Sequence, residues 1–358
     1  GGEWIDTADK VTVKNPFTNE VIGTVSKAGK EEALQALRAA KAFKSQLSSF
    51  ERSEILKSSA RALKERMDEF IKQIVDEAGV SLKEAKKEVT RAIGQLTVAS
   101  EEAKRLIGEA IPTDFTSDQK NHTAMTVFEP VGLILAITPF NRPLNQVVVK
   151  LAPAIASNNS ILLKPSEKTP LSAVKFVKLL IENGLPKEMI NMIVGDPKEI
   201  GDLLCEAPEV DMITFTGSQA VGESIAKKAG MIKTAFELGD SGALIVMDDG
   251  DIDEAAKQAA AGAFSTSGQS CRGVKRVLAH ESIADELAQK ITEHAKKIRV
   301  GNPYEETTDM GAMINSKAAD GVYQRVTQAQ NHGATLLFGE APKGAALGPQ
   351  VLDHVPAD

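Results

Sequence analysis

The sequence predicts an α/β protein, and three observations carry that expectation. Short runs rich in Ile, Val and Leu recur through the middle of the chain at Val131–Ile137, Ser160–Leu163, Met189–Val194, Met212–Phe215, Thr234–Leu238, Ala243–Met247 and Val274–Ala279. They lack strict polar alternation, as expected of strands covered on both faces. Helix-length amphipathic segments such as Leu171–Asn183 and Ser218–Ala229 separate several of them, and strand–helix–strand alternation predicts a parallel sheet flanked by helices. The 358 residues, 42% hydrophobic and 25% charged, are enough to bury real cores in two or three domains and exclude disordered or disulfide-built scaffolds.

The first third reads as helix. From Lys30 to about Gly79, apolar residues step by three and four (Ala33, Leu34, Leu37; Ile55, Leu56, Ala60, Leu63, Met67, Ile71), and the pattern resumes from Leu82 to Leu106. Gly108 to His122, with Pro112, Asp114, Ser117 and Asp118, predicts a short excursion or hairpin.

Composition also narrows the partners. Lys and Arg number 42 against 49 Asp and Glu, a formal net charge of -7, and no basic block is present, which argues against nucleic acid. No apolar run approaches the roughly 18 residues of a membrane helix, so no membrane partner is expected. Two cysteines, Cys205 and Cys271, fit a reducing, cytoplasmic setting. No secretory signal is visible, although a start at Gly1-Gly2 without methionine leaves room for a removed leader. The sequence contains no constellation read as a metal site.

Three local elements point to chemistry. Phe264-Ser-Thr-Ser-Gly-Gln-Ser-Cys-Arg-Gly273 surrounds one thiol with small polar residues, which favours a partly accessible Cys271; plain packing against a strand is the alternative. Cys205, on an apparent amphipathic helix, reads as core. Glu237 lies in the apolar run Thr234–Leu238 directly before Gly239, where partial burial suits a general base, and an exposed strand end with a salt bridge is the alternative. Ala136-Ile-Thr-Pro-Phe-Asn-Arg-Pro-Leu144 ends a buried strand at a proline and holds Asn141 between two prolines; there a rigid amide can donate to an oxyanion, or simply make a turn.

Together and in this order, these elements resemble the aldehyde dehydrogenase superfamily, from about Trp4 to the last residue. Leu163-Lys-Pro-Ser-Glu167 is similar to its cofactor-ribose strand end. Thr214-Phe-Thr-Gly-Ser218 with Gly222 is similar to its strand–turn–helix beside the pyrophosphate, and Asp309-Met-Gly-Ala-Met-Ile-Asn315 to its later loop. The resemblance implies a Rossmann-like cofactor domain over 1–110 and 128–236, an oligomerisation hairpin at 111–127 and a second α/β catalytic domain over 237–358. That last domain is expected to be incomplete, because the family's later Glu-Ile-Phe-Gly-Pro type motif is missing.

It further implies NAD(P)-dependent oxidation of an aldehyde to an acid. Cys271 is the nucleophile, Asn141 the oxyanion donor and Glu237 the base. Thr138, Pro139, Lys164, Glu167, Gly217, Ser218 and Gly239 face the cofactor. Glu167 beside the ribose favours NAD over NADP. The order Phe140-Asn-Arg-Pro-Leu-Asn-Gln146 is similar to phosphonoacetaldehyde dehydrogenases, which makes Arg142, Arg91 on the helix Glu88–Val98, and Arg272 candidates for a short anionic aldehyde. Arg91 as an ordinary solvated residue is the alternative. Asp240, where the family usually has glycine, adds a carboxylate near Glu237. A homodimer or homotetramer is implied. A CoA-acylating dehydrogenase and an inactive truncated member of the fold stand as rival readings.

Overall fold

A computed structural model describes residues 1–239 and 241–356. The chain opens with an antiparallel hairpin, β1 (Lys10–Lys14) and β2 (Val21–Ser26). A helical layer follows: α1 (Lys30–Ala42), α2 (Ser49–Glu65), α3 (Met67–Ala78) and α4 (Leu82–Glu102). Ser48 and Glu51 start α2 with reciprocal caps: the Glu51 N–H donates to Ser48 Oγ at 3.2 Å, and the Ser48 N–H donates to Glu51 Oε2 at 2.7 Å. The expected excursion is a small antiparallel pair, β3 (Ala110–Ile111) with β4 (Ala124–Met125).

The sheet then alternates with helices. Its elements are β5 (Leu133–Ile137), α5 (Asn145–Ala156), β6 (Ser160–Lys164), α6 (Leu171–Glu182), β7 (Ile190–Met192), α7 (Pro197–Cys205), β8 (Met212–Gly217), α8 (Gln219–Ala229) and β9 (Lys233–Leu238). The strands run in the order β7-β6-β5-β8-β9, every neighbour parallel. Alternating residues of β5 feed two separate cores, which explains its unbroken apolar run. Ile134 and Ala136 pack with Phe70, Leu96, Leu151 and Phe176, whereas Leu133 and Leu135 pack with Leu37, Ile200, Leu204 and Ile213.

A second, smaller α/β unit contains β10 (Ala243–Val246), α9 (Ile252–Phe264), β11 (Arg276–Ala279) and α10 (Ala284–Lys296). β10 and β11 are parallel and joined through α9. After it come α11 (Ser316–Asn331) and the antiparallel pair β12 (Thr335–Phe338) and β13 (Val351–Asp353). Among the described residues no helix is long and apolar enough to cross a membrane.

Two sequence expectations shift. The expected domain boundary at 236/237 cuts through β9, which pairs along its length with β8, so Glu237 belongs to the large sheet. The hairpin β1–β2 was not anticipated, because its mixed polar residues are half-exposed and give no apolar run.

Candidate active site

The chain leaves β5 to build β6 and β7 on one side, then returns to β8 and β9 on the other. The carboxyl ends of β5 and β8 therefore form a topological switch point, the crevice where open α/β sheets bind ligands. The candidate residues collect along this rim. Thr138, Pro139 and Asn141 follow β5, Lys164 ends β6, Gly217 ends β8 with Ser218 after it, and Glu237 and Gly239 lie at the end of β9.

The amide of Asn141 reaches out of this rim to the thiol loop: its Nδ2 donates to the Gln269 carbonyl at 2.6 Å, while its Oδ1 is buried without a partner. Cys271 is half-buried, as expected, and its backbone N–H has no acceptor among the described residues. Cys205 is buried in α7, and burial pushes its thiol up to about 11, so it is inert by comparison. Thr266, Ser267 and Gly268 all have left-handed backbones (φ 55°, 53° and 72°), so the loop before the thiol is strained at two non-glycine positions.

Several bonds keep that loop in place. Ser267 Oγ donates to the Gly311 carbonyl at 3.0 Å, and Gln269 Oε1 accepts from the Ile314 N–H at 3.0 Å. The 309–313 loop is itself fastened to the α3–α4 junction. The Ala312 N–H donates to the Gly79 carbonyl at 2.8 Å, and a Cβ on Gly311 would stand 2.2 Å from that same oxygen, which explains the glycine. Lys275 Nζ donates to the Gly268 carbonyl at 2.8 Å, which adds a cation to the thiol loop; desolvation holds this ammonium low, with Cys271 opposing the shift.

Glu237 departs from expectation. It is exposed, on a strand that pairs with β8 alone among the described residues. The neighbouring strand β8 binds a buried cation, Lys150 of α5, which no sequence pattern singled out. Lys150 is only 6% exposed and donates to Thr214 Oγ1 at 2.9 Å. Burial pushes its ammonium down to about 8, with Glu237 pulling the other way. A lysine in an apolar helix face is a weak signal, and only the fold brings it beside the Glu237 strand.

The three arginines separate. Arg91 and Arg272 are exposed. Arg142, expected to meet substrate, is instead 8% exposed and committed to protein partners: it donates to Thr266 Oγ1 at 2.9 Å and faces Glu84 Oε2 at 3.8 Å. Proline on either side of the Asn141-Arg142 pair directs the amide and the guanidinium differently, one to the thiol rim and one inward. Asp240 lies outside the described residues.

The rim fits a dinucleotide. Lys164 is 4% exposed, with no hydrogen-bonded acceptor among the described residues, and burial lowers its pKa while Glu167 and Asp196 oppose. Thr216 Oγ1 is buried and unpartnered. The N-terminus of α8 carries no side-chain cap at Ser218, which leaves backbone N–H groups for a phosphate. A Cβ at Gly222 would stand 2.5 Å from Leu238 Cδ2, so glycine here lets α8 pack tightly on β9.

A model of the aldehyde dehydrogenase family matches residues 4–358, and the chain belongs to this family. It is 41% identical over 358 residues to a 3-sulfolactaldehyde dehydrogenase of Priestia aryabhattai, covering 100% of this chain and 75% of that protein. Among solved structures, aldehyde dehydrogenase 21 from Physcomitrella patens, in complex with the reaction product succinate, superposes with a TM-score of 0.94 at 33% identity, covering 99% of this chain and 75% of that one. Glyceraldehyde-3-phosphate dehydrogenase GapN from Methanocaldococcus jannaschii, complexed with NADP, gives 0.92 at 37% identity, covering 97% and 76%.

Proposed function

We propose that this chain oxidises a short anionic aldehyde to the carboxylic acid, with NAD(P) as hydride acceptor and Cys271 as nucleophile. The carrying observation is the hydrogen bond from Asn141 Nδ2 to the Gln269 carbonyl, which brings the amide of the β5 rim against the thiol loop. The Cys271 thiolate adds to the aldehyde carbon, and the carbonyl oxygen becomes an alkoxide. The second N–H of Asn141 and the unpartnered Cys271 N–H supply donors for that oxygen; losing one such donor costs about 3–4 kcal/mol. Lys164, Thr216 and the uncapped N-terminus of α8 would hold NAD(P) at the strand ends, where it would supply the hydride acceptor for the tetrahedral carbon. The thioester left on Cys271 is then cleaved by water, with Glu237 removing the water proton and Lys150 keeping a cation near that carboxylate.

The anionic class rests on Arg91 and Arg272, which remain exposed. It is supported by the sulfonate, carboxylate and phosphate in the names of the three relatives; phosphonoacetaldehyde is one further member of that class. NAD is the preferred cofactor because Glu167 near the Lys164 ammonium opposes a 2′-phosphate, and NADP remains usable. The β3–β4 excursion, with exposed Phe115 and Met125, supports a homodimer or homotetramer, and the scarcity of cysteine supports a cytoplasmic setting.

An aldehyde panel with NAD and NADP, with and without CoA, tests this reading. Sulfonated, phosphorylated and carboxylated aldehydes are expected to exceed propanal in kcat/KM, with Arg91→Ala and Arg272→Ala erasing the preference. Strict dependence on CoA sinks the hydrolytic step.

A further inference from the structure

The helix that follows the oxyanion asparagine lacks a local cap. Leu144 occupies the N-cap of α5 and is wholly buried, so it offers no side-chain acceptor. The acceptor comes from another helix: Glu88 of α4 takes the Leu144 N–H at 2.8 Å and the Asn145 N–H at 2.9 Å, both on Oε1. Glu88 is 2% exposed. A buried carboxylate is costly, and one used where a serine or aspartate in the turn would serve calls for a second purpose.

That purpose lies in what Glu88 faces. The Leu144 and Asn145 N–H groups it holds follow directly on Arg142-Pro143, and Arg142 donates to Thr266 Oγ1 at 2.9 Å at the start of the strained run before Cys271. Thr266 also donates to Glu84 Oε2 at 3.4 Å, one helical turn before Glu88 on the same face of α4. Glu88 thus fixes the backbone just after the Asn141-Arg142 pair, while Glu84, one turn earlier, faces the Arg142 cation that holds the thiol loop.

Resting on the dehydrogenase reading of this site, we propose that Glu88 is a positioning residue that sets the Asn141 amide and the Cys271 loop in register for carbonyl addition. It touches neither substrate nor cofactor. Glu77 supplies a matched control. It is fully buried, sits on α3, and takes the Leu171 and Ser172 N–H groups at 2.8 and 2.9 Å, capping α6 with no bond to the thiol loop or the Asn141 turn.

The experiment compares Glu88→Ala, Glu88→Gln and Glu77→Gln by steady-state kinetics, thermal midpoint, and the rate at which iodoacetamide alkylates Cys271. Glu88→Ala is expected to lower kcat by about 100-fold with the KM for cofactor little changed, since small misplacements of reacting groups cost that much. It should also change the alkylation rate at least about fivefold. Glu88→Gln keeps an acceptor for the two N–H groups but loses the charge that strengthens both bonds, and is expected to retain about a tenth of the wild-type kcat. Glu77→Gln should lower the thermal midpoint but leave kcat and alkylation within about threefold. If Glu88→Ala fails to fold, Glu88→Gln against Glu77→Gln decides: equal kcat and equal alkylation rates overturn the proposal. Absence of aldehyde oxidation in the wild-type enzyme would refute the functional reading alone, and the alkylation comparison would still judge Glu88.

Discussion

Arg142 and Thr266, 124 residues apart in the chain, are joined by a 2.9 Å hydrogen bond from guanidinium to hydroxyl inside the protein. The bond links the turn after β5 to the left-handed segment that delivers Cys271. It makes Arg142 a fastener of the nucleophile loop.

If that is its role, Arg142→Ala should lower kcat by about 100-fold for every aldehyde alike. The ratio of kcat/KM between an anionic aldehyde and propanal should stay within about threefold. Arg142→Lys keeps the charge but loses the planar fork, and an intermediate loss is expected. Collapse of the ratio in Arg142→Ala would restore the arginine to the substrate.

Thiol chemistry should separate the two cysteines. Iodoacetamide is expected to label Cys271 and abolish turnover while Cys205 stays unlabelled in the folded protein, because Cys205 is buried with its thiol pushed up to about 11. Mass spectrometry of the digested protein reads the site directly. Prior labelling of Cys205 at neutral pH would contradict its placement in the core.

Lys150 gives a pH signature of its own. Burial lowers its folded pKa from 10.5 to about 8, so above that value the folded state holds fewer protons than the unfolded chain. Its contribution to stability is therefore unfavourable at neutral pH and improves as the pH rises from about 8 towards 10.5. Lys150→Met should raise the thermal midpoint by a few degrees (about 2–4 °C) near pH 7, with the gain fading by about pH 10. A constant gain across that range would place the ammonium in solvent.

Glu77 and Glu88 work in the opposite direction. Burial raises both from 4.5 to about 7. Glu88 faces Arg142, which opposes the rise, and Glu84, which adds to it; Glu77 is opposed by the Leu171 and Ser172 donors and raised by Glu88. Between those values the folded state binds more protons than the unfolded one, so their stabilising contribution is complete below 4.5 and is lost as the pH rises through about 7. The double variant Glu77→Gln/Glu88→Gln should flatten the fall in thermal midpoint between about pH 5 and 8. An unchanged slope would assign that fall to other groups.

Much of this architecture was legible in the residues. The strands β5, β6 and β8 announce themselves because both faces are buried, and a run such as Leu133–Ile137 has no polar partner to hide behind. The thiol loop and the Asn141 turn stand out in the sequence as separate local elements, and the fold brings the two together. What was not legible depends on packing between distant elements. Glu88 looks like any helix glutamate until α5 arrives with two N–H groups, and Lys150 looks solvated until Thr214 of β8 accepts from it inside the fold. Arg142 reads as a substrate residue from the Phe140–Gln146 order and the affinity of arginine for anions, whereas the short turn sends it and Asn141 to different protein partners. Glu237 in an apolar run suggests partial burial, with an exposed strand end as the alternative, and the structure has it exposed near the end of β9.

The fastening of Gly311 against Gly79 ties the nucleophile to distant scaffolding. Ser267 hangs from the Gly311 carbonyl, and the neighbouring Ala312 N–H is bonded to the end of α3, so the sulfur takes its bearings from a helix pair far upstream in the chain. A graft that swapped only residues 264–273 between relatives would carry the warhead without its anchor. Such a chimaera must import the 309–313 loop and the α3–α4 joint together to keep its thiol aimed.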